Sequence, residues 1–464
     1  MKNIKKFFVL LVVATMSCSC VETVPEVSYQ SEIITEEIPI TTEFIEEDEP
    51  VDISGQTITW LADYDLNQMG SRSVAIALFE DVYGAKVNFV PVSAENKYEK
   101  LSEMLAGGEE VDMFPYDETV FPKGVRKDWF QPLDDYAGIM ELDSSLWEDM
   151  TDVIDMFEYN GQHYVVPYNI SNPVVITYSR KLMEDEGLDD PYELYKKGEW
   201  NWDTMMSLMR KFVDHHTGIT KYGINGYFGQ ALFKSTGSNI VNYSDGKFSS
   251  NINDKELEKA GKFMENLAKM NLVDNSYVGH FPKDNSTLFF AMGSWALGES
   301  NALNPDGDLM VVPFPKSPDA DKNYISCDFN ARMLVKNSTK GEAVATYIKC
   351  ERIASTQEEY KSARKEQALT EKKYANGTVL YSVTEEQYDA LQSYISDGVP
   401  VFDFAYGMGD SMNGEGDYNY ATRGVVNRLE NLEYSIYSGT VESWAKFCED
   451  CKENIDNAVK EFNK

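Results

Sequence analysis

Apolar and polar residues follow alternating strand and helix patterns from about residue 56 to the end of the chain. Residues 57–61 are mostly β-branched or aromatic and predict a strand, and residues 72–83 have the apolar spacing of a helix. Further strands are predicted at 86–92, 111–114, 173–178, 308–312 and 331–335, and further helices at 97–106, 180–186, 202–215, 255–270, 341–354 and 442–462. Strands that alternate with helices in this order predict an α/β fold with a parallel sheet flanked by helices.

Residues 1–20 have the composition of an export signal. Three lysines among the first six residues precede a short apolar run and a stretch of small residues. The apolar run is far shorter than the ~20 residues that span a bilayer. Cys18 and Cys20 lie where the signal would be cleaved, which resembles the start of a bacterial lipoprotein, although neither follows an aliphatic residue three positions earlier. We therefore expect a lipid anchor on Cys18 or Cys20, with ordinary secretion as the alternative.

Residues 21–54 contain eleven acidic residues and no lysine or arginine. A segment of this composition cannot bury a core and is extended by its own charge, so it predicts a disordered acidic tether. The whole chain of 464 residues has 42 Lys and Arg against 77 Asp and Glu, a formal net charge of -35. Such an excess of negative charge repels phosphate backbones and anionic lipids, which argues against nucleic acid or a membrane surface as the partner.

Motifs for covalent or metal chemistry are missing or incomplete in the sequence. The four histidines all precede residue 281, and the chain has no G-x-S-x-G, H-E-x-x-H or G-K-[ST] motif. Asp63, Asp65 and Asn67 have the first spacings of a calcium loop, but Gln68 and Val74 stand where glycine and glutamate are required. Cys448-x-x-Cys451 has no second pair of ligands for zinc. We therefore predict no cofactor and no metal ion, whereas a pair of carboxylates for glycoside hydrolysis stays an open alternative because the chain has 77 acidic residues.

Several segments resemble, in order, the family 1 extracellular solute-binding proteins of ABC importers. "YNGQHYVVPYNISNPVVITYSRKLMEDEGL" resembles the first passage between the two lobes of that family, and "GEWNWDTMMSLMRKF" resembles the helix that follows. "STLFFAMGSWALGES", "LMVVPFPKSP" and "MLVKNSTKGEAVATYIK" continue the same order. The chain departs from the family in having Met-Gly-Ser where Gly-Lys is common, and in a long divergent segment at residues 358–427.

The resemblance implies two α/β lobes of the periplasmic-binding-protein type, with a hinge and a ligand cleft between them. We expect residues 55–170 to form the first lobe, completed by 315–355. Residues 171–314 are expected to form the second lobe, completed by 356–464. The Trp200 and Trp202 side chains are expected to cap and pack the helix that follows them.

Candidate ligand contacts come from strand ends, crossing segments and glycine-flanked aromatic loops. Ligands bind at the carboxyl ends of strands in such sheets, and sugars need aromatic platforms together with carboxylate and amide groups. Trp295 follows Gly293 and Ser294, where the resemblance implies a stacking platform, whereas Trp60 lies inside a strand and can equally be a core residue. The candidates are Trp60, Asp63, Asp65, Asp117, Glu118, Tyr168, Asn169, Tyr227, Trp295, Asp328, Asn330 and Tyr406.

The sequence thus predicts an extracellular, lipid-anchored binding protein that captures a mono- or oligosaccharide by hinge closure. The resemblance implies delivery of the sugar to importer permease subunits, and it also implies a monomer and no enzymatic activity. A neutral sugar is favoured because acidic cleft residues would oppose an anionic ligand. Three alternatives remain: the same fold binding a peptide, polyol or uronic-acid oligomer, a secreted polysaccharide-cleaving enzyme, and a surface adhesion or sensor protein.

Overall fold

The first sheet forms the core of one lobe. In this computed structural model, which describes residues 51–67, 72–216, 218–276, 278–370, 372–373, 379–416 and 419–464, the strand β1 pairs in parallel with β2 and β3. A fourth strand from far along the chain joins this sheet, as described below. The elements up to the first passage between lobes are β1 (Thr57–Ala62), α1 (Val74–Asp81), β2 (Lys86–Pro91), α2 (Lys97–Gly107), β3 (Met113–Pro115), α3 (Lys123–Arg126), α4 (Ala137–Met140), α5 (Thr151–Asp155), β4 (Glu158–Tyr159) and β5 (Gln162–His163).

The second lobe contains a sheet of four strands in the order β12-β7-β11-β8. β7 is antiparallel to both β11 and β12, whereas β8 and β11 are parallel. The elements of this part are β6 (Asn169–Ser171), β7 (Val174–Ser179), α6 (Arg180–Asp185), α7 (Pro191–Lys196), α8 (Trp202–His215), β8 (Tyr222–Gly226), α9 (Gly229–Lys234), β9 (Val241–Ser244), β10 (Lys247–Ser250), α10 (Lys255–Lys269), β11 (Thr287–Gly293), α11 (Leu297–Leu303) and β12 (Leu309–Pro313).

The remaining elements return to the first lobe and then go back to the second. β15 is antiparallel to β3 and becomes the edge strand of the first sheet, α12 packs on α1, and α14 packs on β12. They are β13 (Tyr324–Ile325), β14 (Asp328–Asn330), β15 (Arg332–Leu334), α12 (Gly341–Thr356), α13 (Glu358–Leu369), β16 (Lys372–Lys373), β17 (Val379–Tyr381), α14 (Glu385–Asp397), β18 (Val399–Pro400), α15 (Asp410–Asn413), α16 (Val425–Glu430), α17 (Leu432–Tyr437) and α18 (Trp444–Phe462).

The two-lobe α/β architecture predicted from the sequence is confirmed, with one correction to the sheets. β1, β2 and β3 are parallel as expected, but each sheet also contains antiparallel strands. The antiparallel edge strand β15 arises because the chain returns to the first lobe after completing the second sheet. The predicted ends of the two lobes stay predictions, and the predicted signal peptide, Cys18, Cys20 and most of the predicted tether lie outside the described residues.

Capping explains where two of the predicted helices begin. Helix α1 begins at Val74, two residues later than predicted, because the Ser73 side chain accepts a hydrogen bond from the backbone N–H of Ile76. Helix α8 begins at Trp202 as predicted, where Asn201 and Thr204 form a reciprocal capping box. Among the described residues, none of the helices combines the length and the apolar character needed to cross a bilayer.

Candidate ligand-binding cleft

Two carboxylates of the first lobe meet at the carboxyl edge of its sheet. Asp63 directly follows β1 and Asp117 lies two residues beyond the neighbouring parallel strand β3, so both belong to the same edge. The Lys97 ammonium lies 2.9 Å from Asp117 Oδ2 and 3.8 Å from Asp63 Oδ1. Asp65, in the same loop as Asp63, is exposed and accepts a hydrogen bond from the backbone of Asn67. The structure therefore brings Asp63 and Asp117 together around one lysine.

Asp117 is held in its charged form by its neighbours. Its Oδ2 accepts a short hydrogen bond from the Tyr98 hydroxyl, and its Oδ1 accepts from the backbone N–H and the hydroxyl of Thr119. Burial by itself raises the pKa of Asp117, but the Lys97 charge and these hydrogen bonds outweigh it and hold the pKa below its usual value. Asp117 is thus a fixed, ionised acceptor at the edge of the first sheet.

An ion pair joins the two lobes next to Asp117. The Lys234 ammonium, at the end of α9 in the second lobe, lies 3.5 Å from Glu118 Oε2 in the loop after β3 of the first lobe. The Lys234 side chain is almost fully buried, whereas that of Glu118 is about half-exposed. α9 begins two residues after Tyr227, so the pair places the loop after β8 opposite the loop after β3.

Lys234 also contacts an aromatic ring and lies close to two buried carboxylates. Its ammonium is 4.5 Å from the centre of the Tyr406 ring. Burial raises the pKa of Asp403 to about 6 and that of Glu430 to about 7, and the Lys234 charge partly offsets both effects. Glu430 accepts hydrogen bonds from the backbone N–H groups of Gly229 and Gln230 at the beginning of α9. The carboxylate of Glu430 therefore fixes the start of the helix that carries Lys234.

Three of the predicted contacts lie in a two-stranded ribbon formed by β6 and β14, and a fourth, Tyr168, directly precedes β6. Asn169 pairs with Asn330 and Ser171 with Asp328, and the backbone N–H of Tyr168 donates to the carbonyl of Asn330. β6 leads directly into β7 of the second sheet, and β14 leads directly into β15 of the first sheet. The ribbon thus contains two of the chain's passages between the lobes, where hinge residues are expected.

Trp60, one of the predicted ligand contacts, is a core residue in this structure and has no surface exposed to a ligand. Its side chain has 0% exposed surface, and its indole N–H donates to the carbonyl of Tyr64. The Arg332 guanidinium lies 5.1 Å from the centres of the Trp60 and Tyr168 rings, and it pairs with Glu351 at 2.8 Å. Tyr168 is also buried by this cluster, so Trp60 and Tyr168 support the cleft from beneath.

Tyr64 is exposed in this cluster, and the sequence analysis missed it. The ring packs edge-on against Trp60, its hydroxyl accepts a hydrogen bond from Arg332, and 38% of its surface is exposed. The only signal in the sequence was an aromatic residue between Asp63 and Asp65 in a polar loop. Lys97 and Lys234 were missed as well, because nothing in the sequence shows which lysines will meet carboxylates from other elements.

Two exposed aromatic residues follow neighbouring strands of the second sheet. Tyr227 comes directly after β8 and Trp295 two residues after β11, and their surfaces are 50% and 56% exposed. These strands are parallel, so both residues lie at the same edge of the sheet. A Cβ atom added at Gly293 would lie 2.5 Å from the Trp295 indole nitrogen, so glycine allows the indole to lie against the strand end.

Trp200 and Trp202 are buried, as expected.

This fold and its paired strand edges are those of a binding protein with two lobes, and the family comparison agrees. The model of the family described as "Bacterial extracellular solute-binding protein" matches residues 66–349. The match covers more than half of the chain, and the protein belongs to this family. A comparison with curated protein sequences gives no match.

Solved structures with the same fold include several sugar-binding proteins. The sugar-binding protein MalE from Xanthomonas citri is 14% identical, with 88% of this chain and 98% of that chain covered at a TM-score of 0.62. The galacto-N-biose/lacto-N-biose I-binding protein of the Bifidobacterium longum ABC transporter, in complex with lacto-N-biose, is 13% identical, with coverages of 88% and 97% and a TM-score of 0.61. The cyclic α-maltosyl-1,6-maltose binding protein of Arthrobacter globiformis is 15% identical, with coverages of 89% and 100% and a TM-score of 0.61.

Proposed function

We propose that this protein is the substrate-binding component of an ABC importer and captures a neutral mono- or oligosaccharide between its lobes. In this proposal the lobes close on the sugar, and the closed form delivers it to the permease subunits. A lipid on Cys18 or Cys20 anchors a monomer to the outer face of the cell membrane. The protein itself performs no chemistry on the sugar.

The observation that carries the proposal is the Glu118–Lys234 ion pair between the lobes. Because Glu118 follows Asp117 and Lys234 closes the helix after Tyr227, the pair sets the polar edge of the first sheet opposite the aromatic edge of the second. A ligand between these edges would contact both lobes. Contacts that exist only when the lobes approach each other are what allow a ligand to favour the closed state.

The residues at the two edges suit a neutral sugar. Tyr227 and Trp295 offer exposed aromatic surface for the apolar C–H faces of a sugar ring, as Tyr64 does from the first lobe. Asp63, Asp117 and Lys97 supply acceptors and donors for hydroxyl groups. The carboxylates outnumber the lysines at this edge, which disfavours an anionic ligand.

A thermal-shift screen with the purified protein tests this function. Neutral mono- and oligosaccharides are compared with uronic acids, peptides and polyols as controls. A ligand that binds only the folded protein stabilises it by ~2.7 kcal/mol at a hundredfold excess over Kd. We expect a neutral sugar to raise the melting temperature and to be recovered chemically intact. Binding of that sugar should require no added cofactor or metal ion.

Two other outcomes of the screen, and one outcome of an uptake assay on cells that lack the protein, would contradict parts of the proposal. A stabilising sugar recovered in cleaved form would indicate a polysaccharide-cleaving enzyme. Stabilisation only by a peptide, a polyol or a uronic acid would exclude a neutral sugar while keeping a solute-binding protein. Sugar binding by a protein whose deletion leaves sugar uptake by the cells unchanged would indicate a sensor or an adhesion protein.

A further inference from the structure

A cavity of about 210 Å³ lies beside the cleft, between the loop after β3 and the segment around α15. Its first wall comes from residues 98 and 119–129 of the first lobe, and its second wall from residues 406–413. Complete ligand pockets typically measure roughly 300–1,000 Å³. The cavity is therefore too small for a whole oligosaccharide, and its size suits one part of a ligand.

Aromatic side chains form the apolar part of the cavity. The Tyr98 and Trp129 rings are nearly parallel, with an angle of 15° and centres 6.4 Å apart. Tyr406 also lines the cavity from the opposite wall, although only 3% of its surface is exposed. The aromatic wall of Tyr98 and Trp129 provides apolar contacts of the kind that the C–H groups of a sugar ring require.

Polar groups of both kinds complete the lining. The Lys123 ammonium pairs with Asp410 Oδ1 at 2.9 Å, and the Asp410 side chain is 91% exposed, so this pair is easily exchanged for contacts to a ligand. The Lys127 ammonium lies 4.7 Å from the centre of the Trp129 ring. Asn413 adds an amide that both donates and accepts hydrogen bonds. Two ammonium groups, a carboxylate and an amide match the hydroxyl groups of a sugar, each of which donates and accepts.

The cavity is connected to the cleft by two residues that belong to both. Tyr98 lines the cavity, and its hydroxyl donates a hydrogen bond to Asp117 at the edge of the first sheet. Tyr406 lines the cavity and lies under the ammonium of Lys234, which forms the ion pair between the lobes. A ligand that lies along Asp117 and the Glu118–Lys234 pair would thus enter the cavity by extending one ring further.

One wall of the cavity belongs to the part of the chain that the family model does not match. The match ends at residue 349, whereas the second wall comes from residues 406–413. The family match by itself therefore does not imply the cavity. The second wall lies in the divergent segment at residues 358–427. A ligand preference particular to this chain would arise in that segment.

We propose that this cavity is a subsite for one additional sugar ring, so that the cargo is an oligosaccharide of at least two units. The inference rests on the proposed function, because it assumes that a sugar occupies the cleft. The additional ring packs against the aromatic wall of the cavity, and Lys123, Asp410 and Asn413 bind its hydroxyl groups. A monosaccharide leaves the cavity empty and therefore binds more weakly.

Isothermal titration of a series of neutral sugars from one to four units provides the test. The repeating unit of this series is that of the sugar that stabilises the wild-type protein most in the thermal-shift screen. Asn413→Phe fills the cavity, and Asn242→Phe, at an exposed position of β9, makes the same change away from it. We expect Asn413→Phe to weaken oligosaccharide binding at least tenfold and monosaccharide binding less than twofold, and Asn242→Phe to change neither.

A second pair of variants keeps the test valid if Asn413→Phe does not fold. Lys127→Met removes a donor at the exposed rim of the cavity, and Lys247→Met makes the same change at an exposed position of β10. Lys127→Met should weaken oligosaccharide binding about threefold without affecting the monosaccharide, and Lys247→Met should have no effect. Equal loss for both ligands, or no loss with either cavity variant, would overturn the subsite.

The wild-type protein distinguishes failure of the subsite from failure of the proposed function. If the wild-type protein binds monosaccharides and longer sugars equally well, the subsite is wrong while sugar capture stands. If it binds no sugar of any length, both the proposed function and the subsite fall.

Discussion

Lys234 and Glu118 form an ion pair that joins one lobe to the other, with the lysine almost fully buried and the glutamate half-exposed. The Glu430 carboxylate caps the first residues of α9, and this fixes the helix that ends at Lys234. Glu118 belongs to a loop that the hydrogen bonds of Asp117 hold in place. Each partner is therefore fixed in its own lobe, and an opening of the lobes would separate the two charges.

Removing the Glu118 charge should weaken ligand binding without unfolding either lobe. We expect Glu118→Gln to raise the Kd for the sugar about fivefold, which corresponds to about 1 kcal/mol, because the closed state loses a partly exposed ion pair. Titration calorimetry in low and high salt measures the effect, which should shrink as salt screens the wild-type pair. Glu103→Gln, at an exposed position of α2, is the matched control. An unchanged Kd for Glu118→Gln would show that the pair does not contribute to closure.

Trp295→Ala should weaken sugar binding and leave the fold intact. The indole is 56% exposed, so little buried surface is lost, whereas a stacked sugar would lose its platform. We expect the Kd to rise at least tenfold, about 1.4 kcal/mol, with a melting temperature close to that of the wild type. Tyr434→Ala, in α17 and 53% exposed, should change neither quantity. A variant that binds sugar normally would exclude Trp295 from the cleft.

The sequence predicted local structure well and side-chain partnerships poorly. Helix α8 was predicted with its observed ends because its capping residue and its apolar spacing are both local, and β1 was predicted to within one residue. A strand was predicted at the position of β15, but its antiparallel pairing with β3 was not, since β3 lies more than two hundred residues earlier. The cross-lobe pair of Lys234 was invisible for the same reason.

Burial was the other property that the sequence left open. Trp60 lies within a predicted strand, and Trp295 follows Gly293 and Ser294 in a segment that resembles the family. Both were candidates for the cleft. The structure buries Trp60 under Arg332, which comes from a distant strand, and leaves Trp295 exposed. Only the tertiary arrangement separates these two roles, because it decides which elements cover each ring.

Trp60→Ala should therefore have the opposite effect to Trp295→Ala. Loss of a fully buried indole leaves a cavity in the first lobe, and we expect the free energy of unfolding to fall by about 3–5 kcal/mol. Urea denaturation followed by circular dichroism measures this change. Trp60→Phe, which keeps an aromatic ring, should lose clearly less stability than Trp60→Ala. Full stability of the Trp60→Ala variant would contradict the position of Trp60 in the core.

Glu433 should make the protein less stable as the pH rises. Among the residues that the structure describes, its Oε1 atom finds no hydrogen-bond partner, and burial raises its pKa to about 7. Below about pH 4.5 the carboxyl is protonated in both the folded and the unfolded chain, so it has no effect. Between about pH 4.5 and pH 7 the unfolded chain loses the proton first, so the stability falls with rising pH.

Glu433→Gln removes this effect and tests its sign. We expect the variant to match the wild type near pH 4 and to exceed it above pH 7 by no more than about 3 kcal/mol. Urea unfolding at a series of pH values gives the difference between the two curves. Glu442→Gln, at an exposed position just before α18, should follow the wild type at every pH. A Glu433→Gln variant that is less stable than the wild type at pH 8 would contradict the assignment.

One of the two cysteines near the end of the predicted signal should carry the lipid anchor. Cys18→Ala and Cys20→Ala are expressed separately as full-length chains in cells supplied with labelled fatty acid. We expect one variant to lose the label and to move from the membrane fraction to the medium, and the other to behave like the wild type. A lipid is needed for this retention because the apolar run of the signal is too short to span the bilayer. If both single variants and the wild type are unlabelled and released, the protein is secreted without an anchor, and the importer would have to capture it from solution.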